Sequence, residues 1–154
     1  MKKAWRLVKG KRAADAFSGE GARLAGGRWN LPGTAVVYLS EHLSLAVLEL
    51  FVHLPNAARH IAFASFEVTI PTDIAVKVLP AEDLPAVWRE EPPPEEIQRI
   101  GTDWAQKGET LLLSVPSAIV PNERNVLVNP DHPDFKRISV SSEQAFSFDP
   151  RMWK

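Results

Sequence analysis

The stretch TAVVYLSEHLSLAVLELFVHL, residues 34–54, constrains the fold more than any other part of the 154-residue chain. Its first seven residues are rich in β-branched and aromatic side chains, follow a Pro-Gly turn signal and predict a buried strand. The remaining residues run without a breaker as far as Pro55 and predict a helix with Ser40 as its N-cap. Because this helix is apolar almost all round, we expect it to be buried on most sides.

The rest of the chain predicts short strands and one more helix. Strand-like runs occur at residues 4–8, 60–71, 74–80, 110–121, 125–130 and 136–149. The helix fits residues 94–108, where apolar side chains share one face and Gly108 provides a stop. Since strands and helices do not strictly alternate, the pattern predicts one α+β domain over residues 1–154. Residues 81–96, rich in Pro and Glu, are predicted as a surface excursion with no assigned role.

The composition excludes several classes of protein. Hydrophobic residues make up 45% and charged residues 24%, as in ordinary globular domains. There is no cysteine, hence no disulfide or thiolate, which suits a reducing cytoplasm. No apolar run approaches the ~18 residues of a membrane span, and the N-terminal lysines lack the apolar run of a signal peptide. The four histidines lack metal-ligand spacing, so no metal site is expected.

Charge is unevenly distributed along the chain. The net charge is −1, yet residues 1–28 carry eight basic side chains against two acidic ones, a local balance of 8 − 2 = +6. Such asymmetry is typical of a basic face that meets phosphates, and equally of a solvated surface. The basic residues are Lys2, Lys3, Arg6, Lys9, Lys11, Arg12, Arg23 and Arg28.

Residues 13–30 are predicted as loop by composition, and their second part, GEGARLAGGRWN, has almost nothing to build a core. In it Arg28 follows two glycines. Glycine lets a backbone approach a ligand closely, and the guanidinium presents a fork of donors that matches phosphate. The stretch is therefore either a ligand-binding loop or a surface turn with an exposed arginine.

Glu49 and Tyr38 stand out within the strand and helix of residues 34–54. Glu49 is the only acid in the second half of the apolar helix, and burial of a carboxylate costs several kcal/mol unless it is paired. It either pairs with His53, one turn on, or lines a cleft. Tyr38, the sole tyrosine, is either a core aromatic or a platform on which a planar ring stacks.

Three further polar residues are candidates for a binding site. Arg6, inside the first strand, needs a partner if it faces inward. Ser117 follows the rigid Pro116 and either donates a hydrogen bond into a cleft or ends a strand; Asn125 lies just beyond. The chain has no P-loop and no nucleophile elbow, and GEGARL lacks the third glycine of a dinucleotide fingerprint.

Together these residues form a chemically coherent set. Cations match a pyrophosphate, an aromatic ring can stack, and a carboxylate stabilises an oxocarbenium-like centre. Cleavage of the nicotinamide–ribose bond of NAD requires such a set, because positive charge develops on the ribose.

The sequence resembles the RES-domain family in three stretches: WRLV, SGEGARLAGGRWNLPGTAVVYLSEHLSLAVLEL and VPSAIVPNERNVLVNPDHPDF. This family comprises toxins of toxin–antitoxin pairs whose antitoxin carries an Xre-like helix-turn-helix region. On this resemblance, Arg28, Glu49 and Ser117 occupy the name-giving Arg, Glu and Ser positions. Tyr38 matches the tyrosine between the first two.

The resemblance implies a fold like the ADP-ribosyltransferases of the diphtheria toxin type, a split β-sheet with helices around a NAD cleft. NAD is then a substrate and no cofactor is expected. It is hydrolysed, phosphorolysed, or used to transfer ADP-ribose to a protein target. Growth arrest follows, and the antitoxin prevents it by covering the cleft. Contact with DNA is expected only through the antitoxin, and none with a membrane.

The resemblance also implies roles for the candidate residues. On the phosphate side, Arg28 and Arg6 hold the pyrophosphate, and Gly27 brings the backbone close to NAD. At the nicotinamide end, Tyr38 stacks on the ring and Glu49 stabilises the oxocarbenium-like transition state.

Two polar residues complete the predicted NAD site. Ser117 bonds the nicotinamide amide or the ribose, and Asn125 contributes to binding. Two other functions stay open: a nucleic-acid-binding or RNA-cleaving toxin that uses the basic N-terminal region, and a non-catalytic interaction domain in which Glu49 pairs with His53.

Overall fold

The computed structural model describes residues 2–154. Along these residues, strands and helices follow one another as β1 (Lys2–Lys9), α1 (Glu20–Ala25), β2 (Val37–Ser40), α2 (Leu43–Phe51), β3 (Phe63–Ile70), β4 (Val76–Val78), α3 (Glu95–Lys107), β5 (Leu112–Pro116), β6 (Arg124–Val128), β7 (Ser139–Val140) and β8 (Gln144–Phe146). Short 3₁₀ turns lie at Gly10–Asp15, Asn56–His60, Ala81–Asp83, Pro133–Arg137 and Pro150–Met152.

The strands form one sheet that is split in its middle. Its order is β4-β5-β6-β2-β1-β3-β7, with β8 also paired to β3. Neighbours are antiparallel except β4 and β5. β1 and β3 pair along their whole length, whereas β1 and β2 meet through one residue pair, Trp5 with Ser40. The predicted α+β fold with a split sheet and flanking helices is thereby confirmed.

α3 agrees with the sequence prediction, whereas α2 is less buried than predicted. α3 ends at Gly108, whose φ of 65° suits glycine, as predicted. The prediction that α2 is buried on most sides is wrong: Leu45 and Ala46 are buried, but Leu48 and Val52 are exposed. The helix packs on β1 and β2 and, through Phe51, against Phe148 and Trp153 of the C-terminal segment, while its remaining face is exposed. Within residues 2–154, no helix is both long and apolar enough to cross a membrane.

The glycine-rich region is also more ordered than predicted. Part of residues 13–30 forms α1 instead of loop. Trp29 and Asn30 are almost fully buried, so the expectation that residues 19–30 have almost nothing to build a core is wrong. Trp29 packs against Trp88, with ring centroids 6.3 Å apart, in a cluster that α3 covers.

The two faces of the sheet bury different cores, because successive side chains of a strand point to opposite faces. One face carries an aliphatic core around Val37, Leu39 and Val68. The other face carries an aromatic cluster under α3 and a second cluster of α2 with the C-terminal segment. Tyr38 and Ser40 belong to this second face by their strand parity. A polar gap lies there between the two clusters.

Candidate active site

Glu49 is held in the polar gap by two neutral donors from other elements. Its Oε1 accepts hydrogen bonds from Ser117 Oγ at 2.6 Å and from Asn125 Nδ2 at 2.7 Å. Ser117, fully buried, lies just after β5, while Asn125 belongs to β6. The Ser117 oxygen itself accepts the backbone N–H groups of Ile119 and Val120, each at 3.1 Å. Its own hydrogen therefore points to the carboxylate.

The Asn125 side chain is fixed at both ends. Ser40 Oγ donates to Asn125 Oδ1 at 2.7 Å, and both residues are buried. The prediction of Ser40 as N-cap is wrong: the N-cap of α2 is His42, and no side chain caps this helix. Since the strand continues to Ser40, its hydroxyl faces the neighbouring strand β6 instead of the helix.

The second oxygen of Glu49 is left open. Within residues 2–154, no hydrogen bond reaches Oε2, and no buried side-chain oxygen or nitrogen lacks a partner. Oε2 therefore borders accessible space. The alternative ion pair with His53 is not formed among the described residues, and His53 is exposed. Glu49 thus presents one oxygen to the protein and one outward.

Arg28 is held by the surface excursion of residues 81–96. Its Nη1 donates to the carbonyl oxygens of Trp88, at 3.0 Å, and Glu90, at 2.7 Å. Its Nη2 donates to the carboxylate of Glu91 at 2.7 Å. The Arg28 side chain is only 17% exposed, so the interpretation as an exposed loop arginine is wrong. Three of its five N–H donors are used, which leaves two for a ligand.

Tyr38 lies on the same sheet face as Ser40, two residues before it, but its hydroxyl is already occupied. It donates to Asn30 Oδ1 at 2.5 Å and accepts the Trp29 backbone N–H at 3.2 Å. Burial raises the pKa of the Tyr38 hydroxyl well above its usual value. A Cβ at Gly27 would lie 2.7 Å from the Tyr38 hydroxyl, so glycine is needed there for this contact. Tyr38 offers a ligand its ring alone.

Arg6 lies on the opposite face of β1 from the Glu49 group. Its strand parity places it with Ala4 and Val8, which belong to the other cores. Its guanidinium donates to the backbone carbonyls of Ala16 and, at 2.9 Å, Tyr38. Burial lowers the pKa of Arg6 to about 10, so the side chain stays charged at neutral pH. The structure thus separates Arg6 from the other candidates and gives it a bracing role where the sheet splits.

The basic face predicted for the N-terminal region is largely neutralised. Lys3 pairs with Glu67, Arg12 with Asp15 and Arg23 with Glu20. Arg28 pairs with Glu91 and Arg6 turns inward. Five of the eight basic side chains are thus engaged within the chain, which leaves little support for a phosphate-binding surface of a polynucleotide.

The buried Asn30 is a structural residue that sequence reasoning missed. Its Nδ2 donates to three backbone carbonyls, those of Ala22, Leu31 and Thr34, at 2.9–3.2 Å. Its oxygen accepts the Tyr38 hydroxyl. An asparagine beside a tryptophan in a glycine-rich loop is the available signal, because buried loop carbonyls need donors.

A surface cavity lies away from these residues. Its volume is about 450 Å³, and it lies between the loop after α1, the end of α3 and the turn at residues 129–133. None of the predicted site residues lines it. In the described part of the chain, no three His, Asp or Glu side chains are grouped to hold a metal ion.

A solved structure has a similar fold. The structure of the Mycobacterium tuberculosis MbcT–MbcA toxin–antitoxin complex contains a chain that matches with a TM-score of 0.76. The match covers 99% of the present chain and 86% of the other, at 19% sequence identity. At this identity the comparison defines the class of fold: an α+β domain with a curled sheet and few helices, as in the MbcT toxin.

Sequence relationships define the family. The RES domain family model matches residues 3–149. "Toxin Res" of Yersinia enterocolitica is 38% identical over 96% of this chain and 97% of its own length. "Prs ADP-ribosylating toxin" of a Sphingobium species is 40% identical over 96% and 94%. The chain belongs to the RES domain family.

Proposed function

We propose that the chain is the toxin of a toxin–antitoxin pair and acts in the cytoplasm as an enzyme that consumes NAD. Membership of the RES family supports this, as do two relatives named as toxins, one of them as ADP-ribosylating. The structural neighbour comes from a toxin–antitoxin complex, which supports an antitoxin as partner. We propose an antitoxin with an Xre-like helix-turn-helix region, so that contact with DNA is indirect.

The observation that carries the enzymatic proposal is the half-held carboxylate of Glu49. Buried Ser117 and Asn125 fix its Oε1, while Oε2 borders accessible space. A fixed anion stabilises positive charge that develops nearby without reorganising, and such electrostatic stabilisation is usually the largest single contribution to catalysis. This arrangement supports a role for Glu49 beside an oxocarbenium-like centre.

The proposed step is cleavage of the bond between nicotinamide and C1 of its ribose. The bonding electrons leave with nicotinamide, whose ring nitrogen becomes neutral, and Glu49 Oε2 faces the cationic ribose carbon. An acceptor oxygen or nitrogen then bonds to this carbon and loses its proton. Water, phosphate and a protein side chain are the three acceptors that this chemistry permits.

Arg28 and Tyr38 complete the proposed NAD site on the Glu49 side of the sheet. The two N–H groups of Arg28 that have no described partner suit a pyrophosphate oxygen. The ring of Tyr38, held by its hydroxyl, suits stacking on nicotinamide. Gly27 acts through its contact with Tyr38, and Arg6 braces the backbone at Tyr38. We therefore assign direct NAD contacts to Arg28 and Tyr38 and a supporting role to Arg6.

Nicotinamide release tests this function. The chain, purified without antitoxin, is mixed with NAD in the presence and absence of phosphate, and products are identified by mass spectrometry. We expect free nicotinamide, and a fall of about 10³-fold for Glu49→Gln, as for the loss of a fixed catalytic charge. Glu143→Gln, at an exposed acid outside the site, is the matched control. No release by the parent, or equal release by Glu49→Gln, contradicts the proposal.

A further inference from the structure

The buried Ser40 hydroxyl lies at the far end of a hydrogen-bond chain that ends on Glu49. Ser40 is 4% exposed and Asn125 is 8% exposed, so water does not compete freely for either side chain. The chain runs from Ser40 Oγ to Asn125 Oδ1, 2.7 Å, and from Asn125 Nδ2 to Glu49 Oε1, 2.7 Å. Ser40 itself does not contact Glu49.

The direction of these hydrogen bonds is fixed by the Glu49 carboxylate. A carboxylate oxygen accepts only, so the Asn125 amide must present its N–H₂ group to Glu49. The amide oxygen then faces Ser40, and an amide oxygen also accepts only, so the Ser40 hydroxyl must donate. Each group therefore has one available role, and a flipped Asn125 amide would set its oxygen against the Glu49 carboxylate, where neither atom can donate.

The backbone holds Ser40 in the only place where the two halves of the sheet join in the described structure. Its Cα is paired with Trp5 of β1 on one side and Asn125 of β6 on the other. The Ser40 hydroxyl is therefore carried by paired backbone on both sides. A donor on this backbone restricts the Asn125 amide far more than a donor on a free loop.

We propose that Ser40 is a positioning residue: its hydroxyl fixes the Asn125 amide in the orientation that holds Glu49 Oε1, and so aims Oε2 at the substrate ribose. The last clause rests on the proposed NAD-consuming function. Loss of the hydroxyl leaves a buried amide oxygen without a donor and lets the amide turn or withdraw. Glu49 is then held by Ser117 alone.

The kinetics of nicotinamide release show whether Ser40 positions the Asn125 amide or only supports the fold. For Ser40→Ala we expect kcat to fall about 10-fold and KM for NAD to change less than about 2-fold, since the loss of one donor weakens transition-state binding only. In the Asn125→Ala background, Ser40→Ala is expected to have no further effect on kcat, because it acts through that amide. Ser65→Ala, at another buried serine of the sheet, is the control and keeps the parental kcat.

Two kinetic results overturn the proposal. One is a parental kcat for Ser40→Ala. The other is an equal loss in the parent and in the Asn125→Ala background, which means that Ser40 does not act through Asn125. If the parent releases no nicotinamide at all, the proposed function fails, and NMR of the Asn125 amide still tests whether Ser40 positions it.

Side-chain amide NMR tests the positioning without turnover. The Asn125 N–H₂ signals are assigned by their loss in Asn125→Asp. We expect them to be sharp and slow to exchange in the parent, and to shift and exchange faster in Ser40→Ala but not in Ser65→Ala. Unchanged Asn125 signals in a folded Ser40→Ala variant contradict the positioning role.

Discussion

Glu49 and Arg28 lie on the same face of the sheet but are held in opposite ways. The Glu49 cradle (Glu49, Ser117, Asn125 and Ser40) consists of half-buried Glu49 on α2 and three buried side chains on or next to the sheet. The Arg28 clasp consists of two backbone carbonyls and one exposed carboxylate of a surface segment, contributed by Trp88, Glu90 and Glu91.

The two groups differ in how strong the contacts are that an arriving ligand would have to replace. Glu91 is 64% exposed, and an ion pair with so exposed a partner contributes about 0–1 kcal/mol. The donors of the Glu49 cradle are buried, and leaving one of them without its partner costs about 1–3 kcal/mol of stability. We infer that the carboxylate is fixed before NAD arrives, while the arginine exchanges partners when NAD binds.

The largest expected effect comes from the backbone contact that supports the Arg28 side. A Cβ at Gly101 of α3 would lie 2.0 Å from the carbonyl oxygen of Trp29. Gly101→Ala must therefore push α3 away from the loop, at an expected cost of about 3 kcal/mol or more in unfolding free energy, as for overpacked cores. Urea unfolding measures this.

Gly21→Ala is its control, because a Cβ there meets nothing within 4 Å. The alanine is expected to leave stability unchanged or to raise it slightly, since alanine favours helix over glycine. Equal stability of the two variants contradicts the tight contact between α3 and the loop.

The next largest effect is expected from a substitution that removes a donor of the Glu49 cradle. Ser117→Ala removes one donor to Glu49 and deprives the N–H groups of Ile119 and Val120 of their acceptor. We expect a loss of about 2 kcal/mol in unfolding free energy. We also expect a fall in kcat of about 10- to 100-fold, by analogy with the loss of a fixed donor at a reacting charge. A parental kcat in this variant means that the cradle does not serve the chemistry.

On the Arg28 side, Tyr38 is expected to make the stability of the fold depend on pH. Burial raises the folded-state pKa of Tyr38, so its contribution is fully present below the unfolded pKa of about 10 and is lost as pH rises above it. Between pH 8 and 11 the parent is expected to lose about 1 kcal/mol more than Tyr38→Phe, which cannot ionise. Urea unfolding at both pH values measures this difference. Identical losses contradict the buried, neutral hydroxyl.

The smallest effect is expected at the exposed end of the clasp. Glu91→Gln removes the carboxylate that competes for Arg28 Nη2, and we expect KM for NAD to fall about 2-fold with kcat unchanged, since only a weak exposed pair is lost. Glu90→Gln is the matched control, because Arg28 contacts the carbonyl of Glu90 and not its side chain. A rise in KM for Glu91→Gln means that Glu91 belongs to the NAD site.

The sequence predicted the strands and α3, because these follow from local patterns, and it singled out Glu49 as one acid on an apolar helix. It did not predict the cradle, since Ser40 and Asn125 are 85 residues apart and meet only through the register of β2 with β6. The clasp was missed for the same reason: residues 81–96 carry no local signal of their contact with Arg28. Burial of α2 was overestimated because hydropathy does not distinguish a core face from an exposed apolar face, here Leu48 and Val52.

The most direct test of the account is nicotinamide release from NAD by three matched preparations: parent, Glu49→Gln and Glu143→Gln. The account predicts release by the parent and by Glu143→Gln, and a fall of about 10³-fold in kcat for Glu49→Gln with little change in KM, because Glu49 acts on the charge of the transition state. Glu49→Gln that is folded and as active as the parent contradicts it.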